Sequence, residues 1–520
     1  MSIINPKVNI SIIPAFIQPT AEDQKVLFVG QKTASGTATA GQLYQSISNS
    51  PVNGNTAWDS LFGEDSLLAA AIRAAKKLNK ISRFDAIPLD DDGGATAATG
   101  SITLGGSVTQ AGKLYVSIGS KENNTYEIDV LASAVLADIA QDIEDAITAD
   151  SAALVSANAV AAAVTFTAIN KGDEGNKIGI KIWTTTVGLS YTLVGMTGGA
   201  TNPTLTNVFD VVGNLRYQTI VWQSTFDLDV VQTFLDDRFD SDTRILDGIG
   251  IVSITDTLAN LKTTTSDTDR NSQSLAIHCN RLVNASHYKG SAINEMDFVI
   301  AAQFAAVRAL RMTDGAPISQ FVDATEGVAD AFGGIQIASL PYFNTPFANL
   351  PIIDHEYQWL DSEQEELREA GGFILGNNIA NNEIISDRVV TTYLTNSVGD
   401  PDITFKYMNY VDTASVVRWY FHENLRQRFR QSRLTTGNVV SGRNMANAHI
   451  IQGALMVYYK DLTEFALLVG GEAARKKFLD NLVITIDLAE SKSVIAMIAE
   501  IVTQLGTIDV AMQISFSTTE

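Results

Sequence analysis

An α/β pattern that stops and later restarts constrains this chain more than any other feature. Val26-Leu27-Phe28-Val29-Gly30 is an apolar run of buried-strand type, and Ser35–Asn55, rich in Gly, Ser, Thr, Ala and Asn, reads as loop. Asp65 or Ser66 then caps a helix carrying Leu67, Leu68, Ala71, Ile72, Ala75 and Leu78 at helical spacing. That helix ends on Lys76, Lys77 and Lys80, as the helix dipole prefers, and Phe84–Pro88 is the next strand. After Asp90-Asp91-Asp92-Gly93-Gly94 the composition shifts. Residues 93–204 are rich in Gly, Ala and Thr, and predict strands at 112–119, 126–131, 163–169 and 177–183 with one helix at 133–148. Leu136, Ile139, Ile143 and Ile147 share one face of that helix.

The α/β pattern resumes beyond residue 204. Tyr217–Trp222, Gly250–Ile254 and Ser274–His278 read as strands, and Leu228–Phe239, Thr255–Leu261 and Glu295–Arg311 as helices. Short apolar strands alternating with helices imply a mostly parallel sheet covered on both faces. The expected fold class is therefore multidomain α/β: a discontinuous doubly wound domain with an inserted β-rich α+β domain, followed by a C-terminal α/β domain and flanked by extended β arms. The boundaries fall at 1–22 for the N-terminal arm, 23–92 with 205–360 for the discontinuous domain and 93–204 for the insert. The C-terminal domain takes 361–506 and the closing strand 507–520. A chain of 520 residues has room for three or four such units.

The two ends are strand-competent. Val8, Ile10 and Ile12 alternate with polar Asn9 and Ser11 between Pro6 and Pro14, with no hairpin partner nearby. At the other end Ile508, Val510, Met512, Ile514 and Phe516 alternate over five steps, a strong strand signal. Each arm must find a distant partner, in its own sheet or in another chain. Between 361 and 506, Ser362 and Glu365 form a capping-box pattern opening an acidic helix over 362–370 that stops at Gly371-Gly372. Val389–Leu394 and Val483–Leu488 read as strands, and Phe405–Arg430, Ala446–Tyr459 and Ser491–Leu505 as helices.

Charge narrows the function classes. Lys and Arg number 36 against 58 Asp and Glu, so the net charge is −22, which argues against non-specific nucleic-acid binding by the whole surface. The single Cys279 leaves no intrachain disulfide and no cysteine zinc site, and the five histidines form no H-E-x-x-H pair. Met1–Lys7 lacks the basic region and apolar run of a signal peptide, and the Ala-rich stretches are too short or too charged to span a membrane, so the expectation is a reduced, soluble chain made inside the cell. No G-x-G-x-x-G, P-loop or G-x-S-x-G is present, and neither a catalytic residue, a metal site nor a cofactor is expected. The Asp90–Asp92 triplet reads as a solvated turn at a domain junction, Asp173-Glu174-Gly175 as a turn, and His278-Cys279 as strand-end residues that do not face each other.

One local reversal stands out. Arg418, Arg426, Arg428, Arg430 and Arg433 occur together with a single acid, Glu423, and Arg443 follows. Arg426 and Arg430 share a helix face. Such a patch suits pairing with an acidic surface of the same chain or of a neighbouring copy. A nucleic-acid footprint or solvated arginines are the alternatives. Glu363, Glu365 and Glu366 offer a charged contact surface, with no apolar enclosure to split their pKa values for acid–base work.

The order of these parts resembles the tail sheath proteins of contractile bacteriophages of the Mu-like kind. The resemblance is carried by Val26–Lys32 with Gly36-Thr37-Ala38-Thr39, Leu61–Ser66 before its helix, Pro88–Asp91, the turn Gly172–Asn176, the segment Arg388–Tyr393 and the C-terminal region, and it spans nearly the whole chain. It implies a structural subunit, not an enzyme, in stacked hexameric rings forming a helical lattice around a tail tube above a baseplate. It also implies tail terminator or neck partners, assembly in the host cytoplasm and residence in the virion tail. Contraction then drives the tube through the host envelope. The arms (Val8, Ile10, Ile12; Ile508, Val510, Met512, Ile514, Phe516) would exchange strands between subunits. Arg426, Arg430, Arg433, Glu363 and Glu366 would make contacts between subunits or with the tube, the C-terminal domain forming the inner wall. A headless contractile injection particle has the same signature. A cytoplasmic α/β enzyme is the distant alternative and would need a ligand pocket at the sheet's switch point.

Overall fold

The computed structural model describes residues 24–46, 51–52, 55–119, 125–225, 228–239, 245–264, 274–278, 295–312, 342, 345–347, 350, 357–378, 383–396, 398–440 and 444–503. Both arms, with Val8, Ile10, Ile12, Ile508, Val510, Met512, Ile514 and Phe516, lie outside the described residues, as do Cys279 and Arg443.

The central sheet has eight strands, in the spatial order Pro346–Phe347, Glu383–Ser386, Gly372–Asn378, Ser274–His278, Ile249–Ser253, Thr219–Trp222, Lys25–Gln31 and Arg83–Leu89. The last six run parallel, and the first two add an antiparallel edge. The strands read as continuous apolar runs because both faces are covered. On one face Val26, Phe28, Phe84 and Ile251 pack under the helices Leu67–Leu78 and Asp297–Met312. On the other, Leu27, Val29, Ile87, Ile220 and Trp222 meet Val231 and Leu235 of the helix Leu228–Phe239. The sheet runs past residue 360: Phe373 pairs in register with Ile277, so Gly372–Asn378 and Glu383–Ser386 complete the α/β sheet.

Local rules explain the best-defined helix. Ser66 Oγ accepts a hydrogen bond from Ala69 N at 3.0 Å and so caps Leu67–Leu78. Ser66→Ala is expected to cost about 1 kcal/mol of stability, read as a lowered denaturation midpoint. Before this helix the chain passes close to Leu61–Gly63, where a Cβ on Gly36 would lie 2.4 Å from the Phe62 carbonyl carbon, so only glycine fits.

The insert is a β-rich unit with one helix. Four strands order as Val187–Thr197, Thr99–Gln110, Ala163–Ala168 and Val155–Val160, and three as Ile180–Thr184, Gly112–Ile118 and Thr125–Val130. Leu136–Thr148 packs Ile139, Ile143 and Ile147 into the core. Sequence patterning missed Thr99–Gln110, Val155–Val160 and Val187–Thr197. Their glycines, threonines and alanines blur the alternation, although Ile102, Leu104 and Val108 are buried.

The 22-residue helix Met408–Phe429 joins two cores. Met408 and Val411 are buried with the α/β body, while Val417, Tyr420 and Phe421 belong to a second cluster with Leu455, Tyr459, Leu462 and Phe478. That second cluster is built from helices Ala448–Glu464 and Glu472–Asp480 and the hairpin Val483–Asp487/Lys492–Ala496.

Three expectations are corrected here. The segment from 491 is not a helix: Lys492–Ala496 is a strand antiparallel to Val483–Asp487. Ser493, Ile495 and Met497 are half-buried in alternation with exposed Lys492, Val494 and Ala496, the period of a strand. Val389–Leu394 forms no strand, and Val390 makes an isolated bridge with Tyr407. The acidic helix begins at Asp361, and Glu363 Oε2, not Glu365, accepts from the backbone N of Leu360 at 2.9 Å.

Candidate functional site

The two-stranded hairpin Val483–Asp487/Lys492–Ala496 offers open strand edges beside exposed apolar side chains. Ile484, Ile486 and Ile495 turn one face onto the C-terminal core, while Val483 and Val494 on the other face are exposed. Its two strands pair with each other, and neither outer edge has a strand partner among the described residues. Such an edge presents a row of backbone donors and acceptors to an incoming strand. The described chain ends at Thr503, shortly after this hairpin and before the alternating segment that contains Ile508–Phe516.

The basic patch emerges at the end of Met408–Phe429. Arg426, Arg430 and Arg433 are all exposed. Arg426 pairs with Glu423 one turn back at 2.8 Å, and the hydrogen bond from Arg426 holds the Glu423 carboxyl below the usual range. Arg430 and Arg433 make no ion pair with a described residue. Glu363 and Glu366, expected like the arginines at contacts between subunits or with the tube, lie on another helix: Glu363 closes the start of that helix, and Glu366 pairs with Lys262 at 2.8 Å. No contact between described residues brings the two sets together.

The same helix is clamped to the α/β body by two buried polar networks that sequence reading did not single out. Arg308 Nη2 donates to Asp412 Oδ1 at 2.6 Å, and Tyr342 Oη donates to Asp412 Oδ2 at 2.5 Å. Arg308 also donates to the Gln218 carbonyl at 2.7 Å. Neighbouring Arg311 is buried with its guanidinium 4.0 Å from the Tyr342 ring centre, and burial lowers its pKa. Nearer the second core, Arg216 lies 3.1 Å from Asp247, whose Oδ2 accepts from Ser415 at 2.8 Å. A sequence signal existed in Asp412, an acid beside Val411 on the helix face that buries Met408.

The parallel strands follow the spatial order 2-1-3-4-5-6 of a doubly wound sheet, so the switch point lies between Lys25–Gln31 and Thr219–Trp222. Polar side chains fill it. Gln31 N donates to Gln223 Oε1 at 2.9 Å, and Gln223 Nε2 to Gln31 Oε1 at 3.0 Å. Gln31 Nε2 bonds both Asp91 Oδ1 and the Lys171 carbonyl at 2.7 Å. Asp91 also accepts from Asn170 Nδ2 at 3.2 Å and Lys171 N at 3.0 Å, while Asp90 pairs with Lys32 at 2.9 Å. The acidic triplet is thus a junction at which the insert seats on the sheet's carboxyl edge, with Asp91 inside the network. Among the described residues no three His, Cys, Asp or Glu side chains are grouped to hold a metal. No helix among them is long and apolar enough to cross a membrane.

With this multidomain mixed α/β architecture and separate C-terminal core, the chain is similar to tail sheath proteins. It is 25% identical over 460 residues to the Mu-like prophage FluMu tail sheath protein of Haemophilus influenzae, covering 87% of this chain and 85% of that protein. No family model matches. Among solved structures, the sheath tail protein of Listeria innocua aligns with a TM-score of 0.47 at 11% identity over 94% of each chain. That of Desulfitobacterium hafniense aligns with a TM-score of 0.45 at 9% identity, over 96% of this chain and 100% of the other.

Proposed function

We propose that this protein is the repeating subunit of a contractile tail sheath, which polymerises helically around a tail tube and contracts to drive the tube through a host envelope. The hairpin Val483–Asp487/Lys492–Ala496 carries this reading. Its edges are open among the described residues, and it lies between a folded body and a β-competent C-terminal segment. A strand donated by one copy to the next makes a heterologous contact, and a heterologous contact that does not close generates a helix. Main-chain ladders tolerate rotation of the bodies they tie together, so the lattice can rearrange without dissociating. The chain would do no chemistry of its own: the stroke draws on the free-energy difference between two lattice packings. Tube, baseplate and neck or terminator proteins are the partners this role requires. A headless injection particle would use the same subunit, and neighbouring genes separate the two.

Negative-stain electron microscopy of the purified protein over a concentration series, alone and co-expressed with its tube protein, tests the proposal. Hollow tubes or stacked rings are the expected result, and compact monomers or dimers under every condition would overturn it. Reversing Arg430 and Arg433 to Glu, with Arg426 reversed as well, is expected to abolish tubes or tube binding, since exposed guanidinium groups set orientation and partner choice. Tubes of normal yield from that triple variant would remove the arginines from the interface.

A further inference from the structure

Glu174 lies in the short turn Asp173–Lys177 of the insert and is fully buried where that turn lands on the α/β body. Its Oε2 accepts from Thr225 Oγ1 at 3.0 Å, with Ser224 Oγ at 3.5 Å, both just beyond the strand Thr219–Trp222. Its Oε1 is buried and has no hydrogen-bond donor among the described residues. A second buried carboxylate, Asp297, starts the helix Asp297–Met312 and acts on Glu174 through the low-dielectric interior. Asp297 accepts from Thr255 Oγ1 at 2.7 Å, Thr255 N at 3.1 Å and Ser253 Oγ at 3.3 Å, and burial raises its pKa as well, so the two carboxyls titrate together. The nearby cation is Lys177 of the same turn, whose Nζ donates to the Thr255 carbonyl at 3.0 Å. Asp173 faces Asn202 Nδ2 at 2.9 Å, and Glu295, also buried, precedes the helix.

Glu174 and Asp297, with Glu295 close by in sequence, therefore crowd buried carboxyls into a junction beside Lys177. An ionised Glu174 would leave a buried charged oxygen with no donor among the described residues, a costly state for a buried carboxyl. We propose that Glu174 is a proton-operated latch between the insert and the α/β body, closed while the carboxyl is protonated and loosened when it ionises. Burial first, and the Asp297 charge second, raise its pKa from 4.5 to about 7, against the opposing pull of Lys177 and Thr225. The closed junction holds the proton more tightly than the open one. Closure is therefore strongest below about 4.5, weakens as pH rises towards about 7, and is weakest above it. The latch is a property of this junction and does not depend on the sheath reading.

Hydrogen exchange of the full chain from pH 5 to 8.5, with each peptide normalised to its unstructured rate at the same pH, reads the latch directly. Peptides covering 170–178 and 252–257 are expected to open more with rising pH, by at least ~10-fold and at most roughly 75-fold over this window. Peptides of the hairpin Val483–Ala496 stay constant and so exclude global loosening. Glu174→Gln, which cannot ionise, is expected to hold the low-pH protection throughout. A flat wild-type profile, equal pH dependence in the hairpin, or a Glu174→Gln profile that follows wild type would each overturn the proposal. If the variant does not fold, the wild-type profile decides alone. Tube formation is not part of the readout, so a failed latch leaves the sheath reading intact.

Discussion

A chain ending at residue 506 is expected to stay soluble and form no tubes at any concentration. The deletion removes Ile508, Val510, Met512, Ile514 and Phe516, the alternating positions that pair with a neighbour's sheet edge in the proposed lattice. A strand of this length contributes on the order of five ladder hydrogen bonds at a net ~1 kcal/mol each. Losing ~5 kcal/mol per contact weakens association by more than a thousandfold, and a helical polymer multiplies that loss along its length. The subunit itself should be spared, because the described residues, which end at Thr503, already form a packed α/β core and a packed C-terminal core. Far-UV circular dichroism and the melting temperature are therefore expected to match the full chain, while sedimentation and negative stain show only small particles. Normal tubes from the truncated chain would refute strand exchange by this arm.

The second large effect is on stability. Asp412→Ala is expected to lower stability by roughly 3–5 kcal/mol, read as a fall in the urea midpoint, because it leaves the Arg308 guanidinium buried without its counter-charge. The side chains of Arg308 and Asp412 are 5% and 0% exposed, so water cannot replace the lost partner. The Tyr342 hydroxyl loses its acceptor in the same step. Removing both charges, as Arg308→Met with Asp412→Leu, is expected to recover much of the loss, since a buried pair costs most when only one member remains. A loss below about 1 kcal/mol for Asp412→Ala would mean that this pair does not tie the long helix to the α/β body.

Much of the α/β body was legible because its strands are continuous apolar runs. Leu228–Phe239 was read with its observed bounds, and the strand Ser274–His278 likewise. The region after 490 was misread for a specific reason. Ile495, Ile498, Ala499 and Val502 fall at helical spacing, while Ser493, Ile495 and Met497 fall at strand spacing. Local pattern does not choose between them. The choice comes from Ile484, which sits opposite Ile495 and shares the same core. The arginine patch was legible as a charge reversal, and its exposure follows from its place at the end of a helix whose preceding turns are buried.

The amino-acid sequence by itself determined the alternation of strands and helices, the interruption by the insert and the basic helix end. These rest on neighbours a few positions apart, where side-chain periodicity and charge are already explicit. Only the tertiary structure decided that Asp91 belongs to the switch-point network and that Asp412 is paired within the core. It also decided that Glu174, read as part of a turn, is buried against Thr225 within reach of the Asp297 charge. Burial and pairing of a polar group depend on residues brought from far along the chain, and desolvation acts only once those residues have closed around it.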